Sequence, residues 1–415
     1  MTACGLDFGT SNTTLGTFAD GAPVLTPLEG GERTIPSAIF YSPVRAPQIG
    51  RAAIAAYIEG EQGRLIRSIK SVLGSALLEE STLLGRERAP FRRVVTDFLR
   101  HIKVRAEKQL GRELTEVVHG RPVHFVDGDE DGDRRAEEAL RKIAGEVGYR
   151  HVLFQYEPIA AALDYEQSVT GEQIALIADI GGGTSDFSIV RLSPRRAMAA
   201  DRTGDILAND GVRIGGTDFD RELSLAFLMP LMGYRSAMKR KGLGVPNGYF
   251  HDLATWHSIN RLYDPKLMRE LAEVEREAAE PHLIARLIRV AEERRGHALA
   301  ADVEDAKIAL ADMPRSRIDL DWLEAGLSVG LTREDLASGT AALSARIGAR
   351  VNICLHQAGL EPEKINALFL TGGSTRLAHV RAAIAANLPD TKIVEGDIFG
   401  SVGLGLTLDA KRRFG

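Results

Sequence analysis

Two short stretches of this chain set carboxylates, glycines and hydroxyls in one order: LDFGTSNTT from Leu6 to Thr14 and ADIGGGTSD from Ala178 to Asp186. Gly9, Gly181, Gly182 and Gly183 lack the Cβ atoms that would hold backbone N–H groups away from a phosphate. Thr10, Ser11, Thr184 and Ser185 add short hydroxyl donors. Asp7, Asp179 and Asp186 repel phosphate directly, so they imply an intervening Mg²⁺ or its water shell. The chemistry is that of gripping a metal-chelated polyphosphate. No G-x-x-x-x-G-K-[ST] stretch occurs, so the site is not a Walker loop.

Each stretch follows an apolar run and precedes another, Leu15 to Phe18 and Phe187 to Val190, which predicts strand, turn, strand with the Asp at the turn. Short β-rich runs fill the chain to about Phe40, punctuated by Asp20-Gly21 and Gly30-Gly31. Helical spacing is expected over Arg51 to Leu84 and Pro90 to Leu110, the latter through Val94, Val95, Phe98, Leu99 and Ile102. Val117 to Val126 reads as a strand interrupted by Pro122, Arg134 to Val147 as an amphipathic helix, His151 to Gln155 as a strand and Pro158 to Tyr165 as a helix. A helix-rich block, about 218–311, is broken at Gly242 to Gly248, Pro281 and Gly296. Ile318 to Leu331 predicts a strand pair, Arg333 to Gln357 a helix, Ile365 to Leu370 a strand, and Gly400 to Leu406 a small-residue helix.

The repeat spacing of about 170 residues suggests duplication of a strand-rich α/β unit. The expected division is 1–172 plus 398–415 as lobe I and 173–397 as lobe II, with the helical block inserted. Ala160-Ala161-Ala162 and Ser401-Val402-Gly403 are the thin segments where two helices can pass closely.

With 415 residues and 44% hydrophobic content, the chain can bury large cores. A net charge of −5 with mixed signs gives no basic face for nucleic acid or an anionic membrane. Cys4 and Cys354 are far apart and read as packed thiols. No apolar run reaches membrane length and no basic-plus-apolar leader opens the chain, so a cytoplasmic location is expected. The ten histidines form no zinc pattern.

Eight ordered blocks carry a resemblance: GLDFGTSN at Gly5, RTIPSAIF at Arg33, SIKSVLGS at Ser68, EPIAAALDY at Glu157, DIGGGTSD at Asp179, IGGTDFD at Ile214, EDAKIAL at Glu304 and FLTGGSTR at Phe369. The chain resembles the nucleotide-binding domain of DnaK-type heat-shock chaperones, in the actin-like ATPase superfamily. GRPVHF at Gly120 and FQYEP at Phe154 are most similar to the short, stand-alone YegD-like members. The resemblance implies an α/β fold of two ribonuclease-H-like lobes around a nucleotide cleft, binding ATP or ADP with Mg²⁺.

Carried over residue by residue, it implies that Thr10, Ser11 and Asn12, with Gly181 to Thr184, hold the β- and γ-phosphates. Asp7, Asp179 and Asp186 organise Mg²⁺ through water. Lys70 matches a phosphate-side lysine that stabilises the transferring phosphoryl. Glu157, just before Pro158, suits a helix-dipole cap by position alone; the resemblance adds a relay between metal waters and lobes. The base for water attack is left open among Lys70, Glu157, Asp179 and Thr184. Gly215 and Gly216 fall in a matching block. Gly372, Gly373, Ser374 and Arg376 match the α-phosphate, ribose and adenine side, Glu304 and Lys307 the ribose, and Asp397 the adenine site. The plain alternative for Glu304 and Lys307 is an i, i+3 surface ion pair.

Ile308 stands where many members carry an adenine-stacking Arg, which predicts weaker base binding. Neither an apolar linker nor a peptide-binding domain follows, so clamping of unfolded peptide is not expected within this polypeptide. The leading reading is a slow ATP-hydrolysing switch that presents different surfaces to a protein partner or co-chaperone. A small-molecule kinase on the same superfold and a non-hydrolysing scaffold or filament former are the rivals. Asp127 to Glu138 satisfies the EF-hand pattern letter for letter, but its flanks are wrong, so a solvated acidic loop capping the next helix is expected.

Overall fold

The computed structural model of the protein describes residues 2–126, 128–199, 201–394 and 400–415. It divides into two compact units: Met1–Arg213 with Ala349–Thr375 and Ile384–Gly415, and Ile214–Gly348 with Arg376–Ala383.

Two sheets of one topology lie in the first unit. The first contains β1 (Ala3–Phe8), β2 (Asn12–Ala19), β3 (Ala22–Leu25), β4 (Glu116–Arg121) and β5 (His151–Tyr156), in the order β5-β4-β1-β2-β3. The second contains β6 (Gln173–Ile180), β7 (Ser185–Leu192), β8 (Ile206–Val212), β9 (Ala367–Thr371) and β10 (Lys392–Val394), in the order β8-β7-β6-β9-β10. In both, an antiparallel pair comes first and two parallel strands are added beside its first strand. This is the duplicated α/β unit, in the actin-like ATPase architecture. Parallel strands covered on both faces need continuous apolar runs, and Ala367 to Thr371 in β9 is buried throughout.

Six helices matter below: α1 (Phe91–Leu110), α2 (Glu130–Glu146), α3 (Glu157–Glu166), α4 (Gly216–Leu223), α5 (Gly296–Asp312) and α6 (Ser401–Phe414). The five apolar positions that predicted α1 are all buried, and Gly111 ends the helix in the left-handed region. α3 and α6 share one core with both sheets, through Ala160, Ala162, Leu406 and Ala410 on the helices and Val118, Ile177 and Val190 on strands. Their approach is close: a Cβ on Gly405 would lie 1.8 Å from the Ala160 carbonyl oxygen. Only glycine fits there.

Helical spacing over Arg51 to Leu84 is the main correction. Only Arg51–Ile58 is α-helical; Arg64–Arg67 is a strand paired with Ala38–Tyr41, and Ser81–Leu84 pairs with Glu87–Pro90. Gly60 and Gly74, both at positive φ, break the segment, and its apolar residues are satisfied by sheet pairing and two 3₁₀ turns. The expected helix Arg333 to Gln357 is likewise two, Arg333–Gly339 and Ala341–Ala358, because Thr340 turns out of helical geometry after Gly339.

The second unit holds the helix-rich block and a hairpin of Arg315–Asp319 with Ser328–Thr332. Three of its helices begin at the predicted breakers, Gly248, Pro281 and Gly296. No helix among the described residues is long and apolar enough to cross a membrane.

Candidate functional site

The two acidic hairpins close with the same turn. Gly9 N–H donates to the Asn12 carbonyl at 3.0 Å, and Gly181 N–H to that of Thr184 at 2.9 Å. Asp7 pairs across the first hairpin with Thr14, and Asp179 across the second with Asp186. The second copy therefore carries an extra carboxylate where the first has a hydroxyl. Thr184 Oγ1 donates to Asp186 Oδ2 at 2.9 Å. The tips meet: a Cβ on Gly182 would lie 2.2 Å from Ser11 Oγ. At the end of β9, Gly372 has φ of +81°, and a Cβ there would stand 2.5 Å from Asp179 Oδ1. Ser374 Oγ donates to the Gly181 carbonyl at 3.3 Å. The structure thus gathers Asp7, Gly9, Thr10, Ser11, Asn12, Asp179, Gly181, Gly182, Gly183, Thr184, Asp186, Gly372, Gly373 and Ser374 on neighbouring strand ends of one unit.

Lys70 joins them from a 3₁₀ turn, Ile69–Val72, entered through left-handed Ser68. The lysine is 8% exposed, and its Nζ lies 2.5 Å from Glu157 Oε1 in the first turn of α3. Glu157 forms no side-chain cap of α3, whose N-cap is Tyr156; its carboxylate serves Lys70 instead. Gly120 on β4 makes room for it, since a Cβ there would meet Glu157 Cγ at 3.3 Å. A glycine inside an apolar strand was the one sequence signal for that support.

Burial raises the Asp7 carboxyl to about 8, reinforced by Glu157 and Asp179 and opposed by Lys70. Asp179 rises to about 7 from burial, Asp186 and Glu157. For Lys70, burial favours the neutral amine, but Glu157, Asp7 and Asp179 outweigh it and its pKa is raised. Three carboxyl groups, Glu157, Asp7 and Asp179, therefore crowd the one Lys70 ammonium, and a bound cation would favour the charged form of the two raised ones. Among the described residues, no three His, Cys, Asp or Glu side chains converge tightly enough to ligate a metal directly. The donor set fits a hydrated dication that also binds phosphate oxygens.

Of the remaining predicted residues, Gly215, Gly216, Glu304, Lys307 and Arg376 belong to the second unit. Lys307 on α5 does not pair with Glu304; it is buried, 2.7 Å from Asp220 Oδ1 and donating to the Gly216 carbonyl at 3.1 Å. The i, i+3 surface pair is thereby corrected, because Lys307 points into the α4 contact while Glu304 stays half-buried. Gly215 N–H donates to Asp218 Oδ2 at 3.0 Å, and Arg376 pairs with Asp312 at 2.5 Å. Ile308 is 47% exposed. Asp397 lies outside the described residues.

The acidic loop is not an EF-hand. α2 begins at Glu130, inside the would-be loop, where Asp129 caps it by accepting from Gly132 N–H at 2.8 Å. Asp131 is paired with Arg134. Asp127 lies outside the described residues.

The profile of the family described as Hsp70 protein matches residues 80–233 and 285–394, more than half of the chain. A chaperone protein HscA homolog of Laribacter hongkongensis is 28% identical over 404 aligned residues, covering 92% of this chain and 54% of that protein. One from Aromatoleum aromaticum is 27% identical over 432, covering 98% and 57%. The chain spans just over half the length of the curated relatives it matches.

Proposed function

Because the chain belongs to the Hsp70 family, we propose that it binds ATP with Mg²⁺ and hydrolyses it as a slow switch serving a protein partner in a chaperone-like role. The observation that carries this reading is the Lys70–Glu157 pair set beside Asp7 and Asp179 at the ends of two identically turned hairpins.

In this mechanism, N–H groups and hydroxyls from Gly9 to Asn12 and from Gly181 to Thr184 hold the β- and γ-phosphates. Asp7, Asp179 and Asp186 would hold a Mg²⁺ ion through its waters, and the ion would supply charge neutralisation to the phosphates. Lys70 steadies charge on the transferring phosphoryl, and Glu157 fixes where its ammonium points. Hydrolysis is then mostly positioning of a water in line with the leaving oxygen, without a covalent enzyme intermediate. By the resemblance, Gly372, Gly373, Ser374 and Arg376 serve the α-phosphate, ribose and adenine, Glu304 and Lys307 the ribose, Asp397 the adenine, and Gly215 and Gly216 the nucleotide without a finer role. Lys307 must share itself between Asp220 and a ribose hydroxyl to act there.

The test is phosphate release from Mg-ATP by the purified chain with no acceptor added. Release lowered about ten-fold or more by Lys70→Ala supports the switch. Strict dependence on a sugar or acid acceptor replaces it with the kinase, and tight binding without turnover replaces it with a scaffold.

A further inference from the structure

The acidic stretch that opens α2 is not shaped as an EF-hand loop, yet its geometry meets the turn that carries Lys70. Asp133 is 8% exposed, and its carboxylate is fully engaged. Oδ1 accepts from Phe125 N–H at 2.5 Å and Val126 N–H at 3.0 Å, and Oδ2 lies 2.9 Å from His124 Nδ1. These bonds fold residues 124–126 back against the first turn of α2. The resulting floor lies directly beneath Gly74. A Cβ on Gly74, whose φ is +78°, would meet Val126 Cγ2 at 2.8 Å, the Gly132 carbonyl at 3.0 Å and Ala136 Cβ at 3.3 Å.

Gly74 closes the short segment that Ser68 opens, and both are left-handed. Between them Ser71 N–H donates to the Ser68 carbonyl at 3.0 Å and Leu73 N–H to that of Lys70 at 3.1 Å. Ile69 and Leu73, each 2% exposed, pin the segment to the core. A segment this short, hydrogen-bonded internally and fixed at both ends, moves as one piece. A non-glycine residue held at φ of 54° persists only where its surroundings over-determine it.

On the reading of Lys70 given above, we infer that Asp133 is a positioning residue for Lys70: by clamping residues 124–126 it builds the floor on which Gly74 rests, and so fixes the lysine against Glu157. The acidic stretch is then part of the hydrolytic apparatus without touching nucleotide.

The experiment is reductive methylation of the nucleotide-free chain with formaldehyde and borohydride, each lysine followed by mass spectrometry. Lys70, Lys103 and Lys307 are all buried in the native protein, and Lys142 is an exposed reference. Asp133→Ala is expected to speed labelling of Lys70 about ten-fold, with Lys103 and Lys307 still protected. Lys70 remaining protected overturns the inference. If all three buried lysines label together, the variant has unfolded and Val126→Ala decides: it removes the contact under Gly74 while leaving the carboxylate in place. Selective exposure of Lys70 then supports the inference, and its continued protection overturns it. Asp133→Ala should also lower turnover with nucleotide affinity unchanged, and should add nothing further in a Lys70→Ala background. The labelling needs no ATP chemistry, so absence of hydrolysis would refute the proposed function without touching this result.

Discussion

Lys70 Nζ and Glu157 Oε1 stand 2.5 Å apart, joining residues separated by 87 positions in the chain. The pair links the turn after Ser68 to the first turn of α3, and it places the Lys70 ammonium among Glu157, Asp7 and Asp179. Lys70→Ala is expected to retain most nucleotide binding while lowering hydrolysis about ten-fold or more, the loss of about 1.4 kcal/mol of transition-state stabilisation. Glu157→Gln should lower turnover in the same direction. Single-turnover rates beside equilibrium binding check both, and an unchanged rate in Lys70→Ala removes it from the mechanism.

The raised carboxyls give a pH signature. Asp7 at about 8 and Asp179 at about 7 keep protons that the unfolded chain loses near 3.8. Between those limits the folded state binds more protons, so this contribution to stability is full below about pH 4 and lost as pH rises through 7 to 8. Asp7→Asn should melt close to wild type near pH 4 and progressively higher than wild type as pH rises to about 8 in metal-free buffer. Binding of Mg-ADP near pH 7 should release protons, seen as a dependence of calorimetric heat on the buffer's ionisation enthalpy. A constant melting gap across the range would contradict the assignment.

Gly405→Ala places a methyl carbon 1.8 Å from the Ala160 carbonyl oxygen. The helices must part, at a cost of about 1–3 kcal/mol or more. Gly145→Ala in α2, where a Cβ meets nothing within 4 Å, should instead stabilise by about 0.5–1 kcal/mol. Urea midpoints of the two variants should move in opposite directions.

Arg202 is wholly buried, and its guanidinium grips Glu166 through two bonds of 2.9 Å while also reaching Asp205. Arg202→Met leaves Glu166 charged in the interior without its guanidinium, held among the described residues only by the Ser193 N–H at 2.9 Å, a loss of about 3–5 kcal/mol. The double change Arg202→Met with Glu166→Leu should recover much of it. Thermal melts of the single and double variants are the measurement.

Ile308 is exposed enough to accept a longer side chain without repacking α5. Ile308→Arg should tighten ATP binding by about 1 kcal/mol if a guanidinium can stack on the base. Titration calorimetry with ATP against inorganic triphosphate separates a base contact from a general gain in positive charge.

The hairpins, their turns and the duplicated sheet were legible in the sequence because they depend on neighbours in the chain. Alternation sets a strand, Gly9 and Gly181 set a turn, and the repeat of both sets two sheets of one order. The helix α1 was legible for the same reason, with its five apolar positions on one face. Between Arg51 and Leu84 that logic failed: the same spacing of apolar residues served a strand, two 3₁₀ turns and a hairpin, because partners from Ala38–Tyr41 and Glu87–Pro90 decided the backbone.

Charge partners needed the fold as well. Glu304 lies one helical turn from Lys307, yet Lys307 chose Asp220, because burial makes a lysine seek whichever carboxylate and carbonyl share its pocket. Sequence alone determined which residues could grip phosphate and that they came as a matched pair of hairpins. Only the tertiary structure decided that Lys70 points at Glu157, that Asp7 and Asp179 hold their protons towards neutrality, and that Asp133 braces the turn beneath Gly74. The physical reason is that hydrogen-bonded turns and side-chain periodicity act over a few residues, whereas desolvation and Coulomb interaction act through space, among groups the chain brings together only when folded.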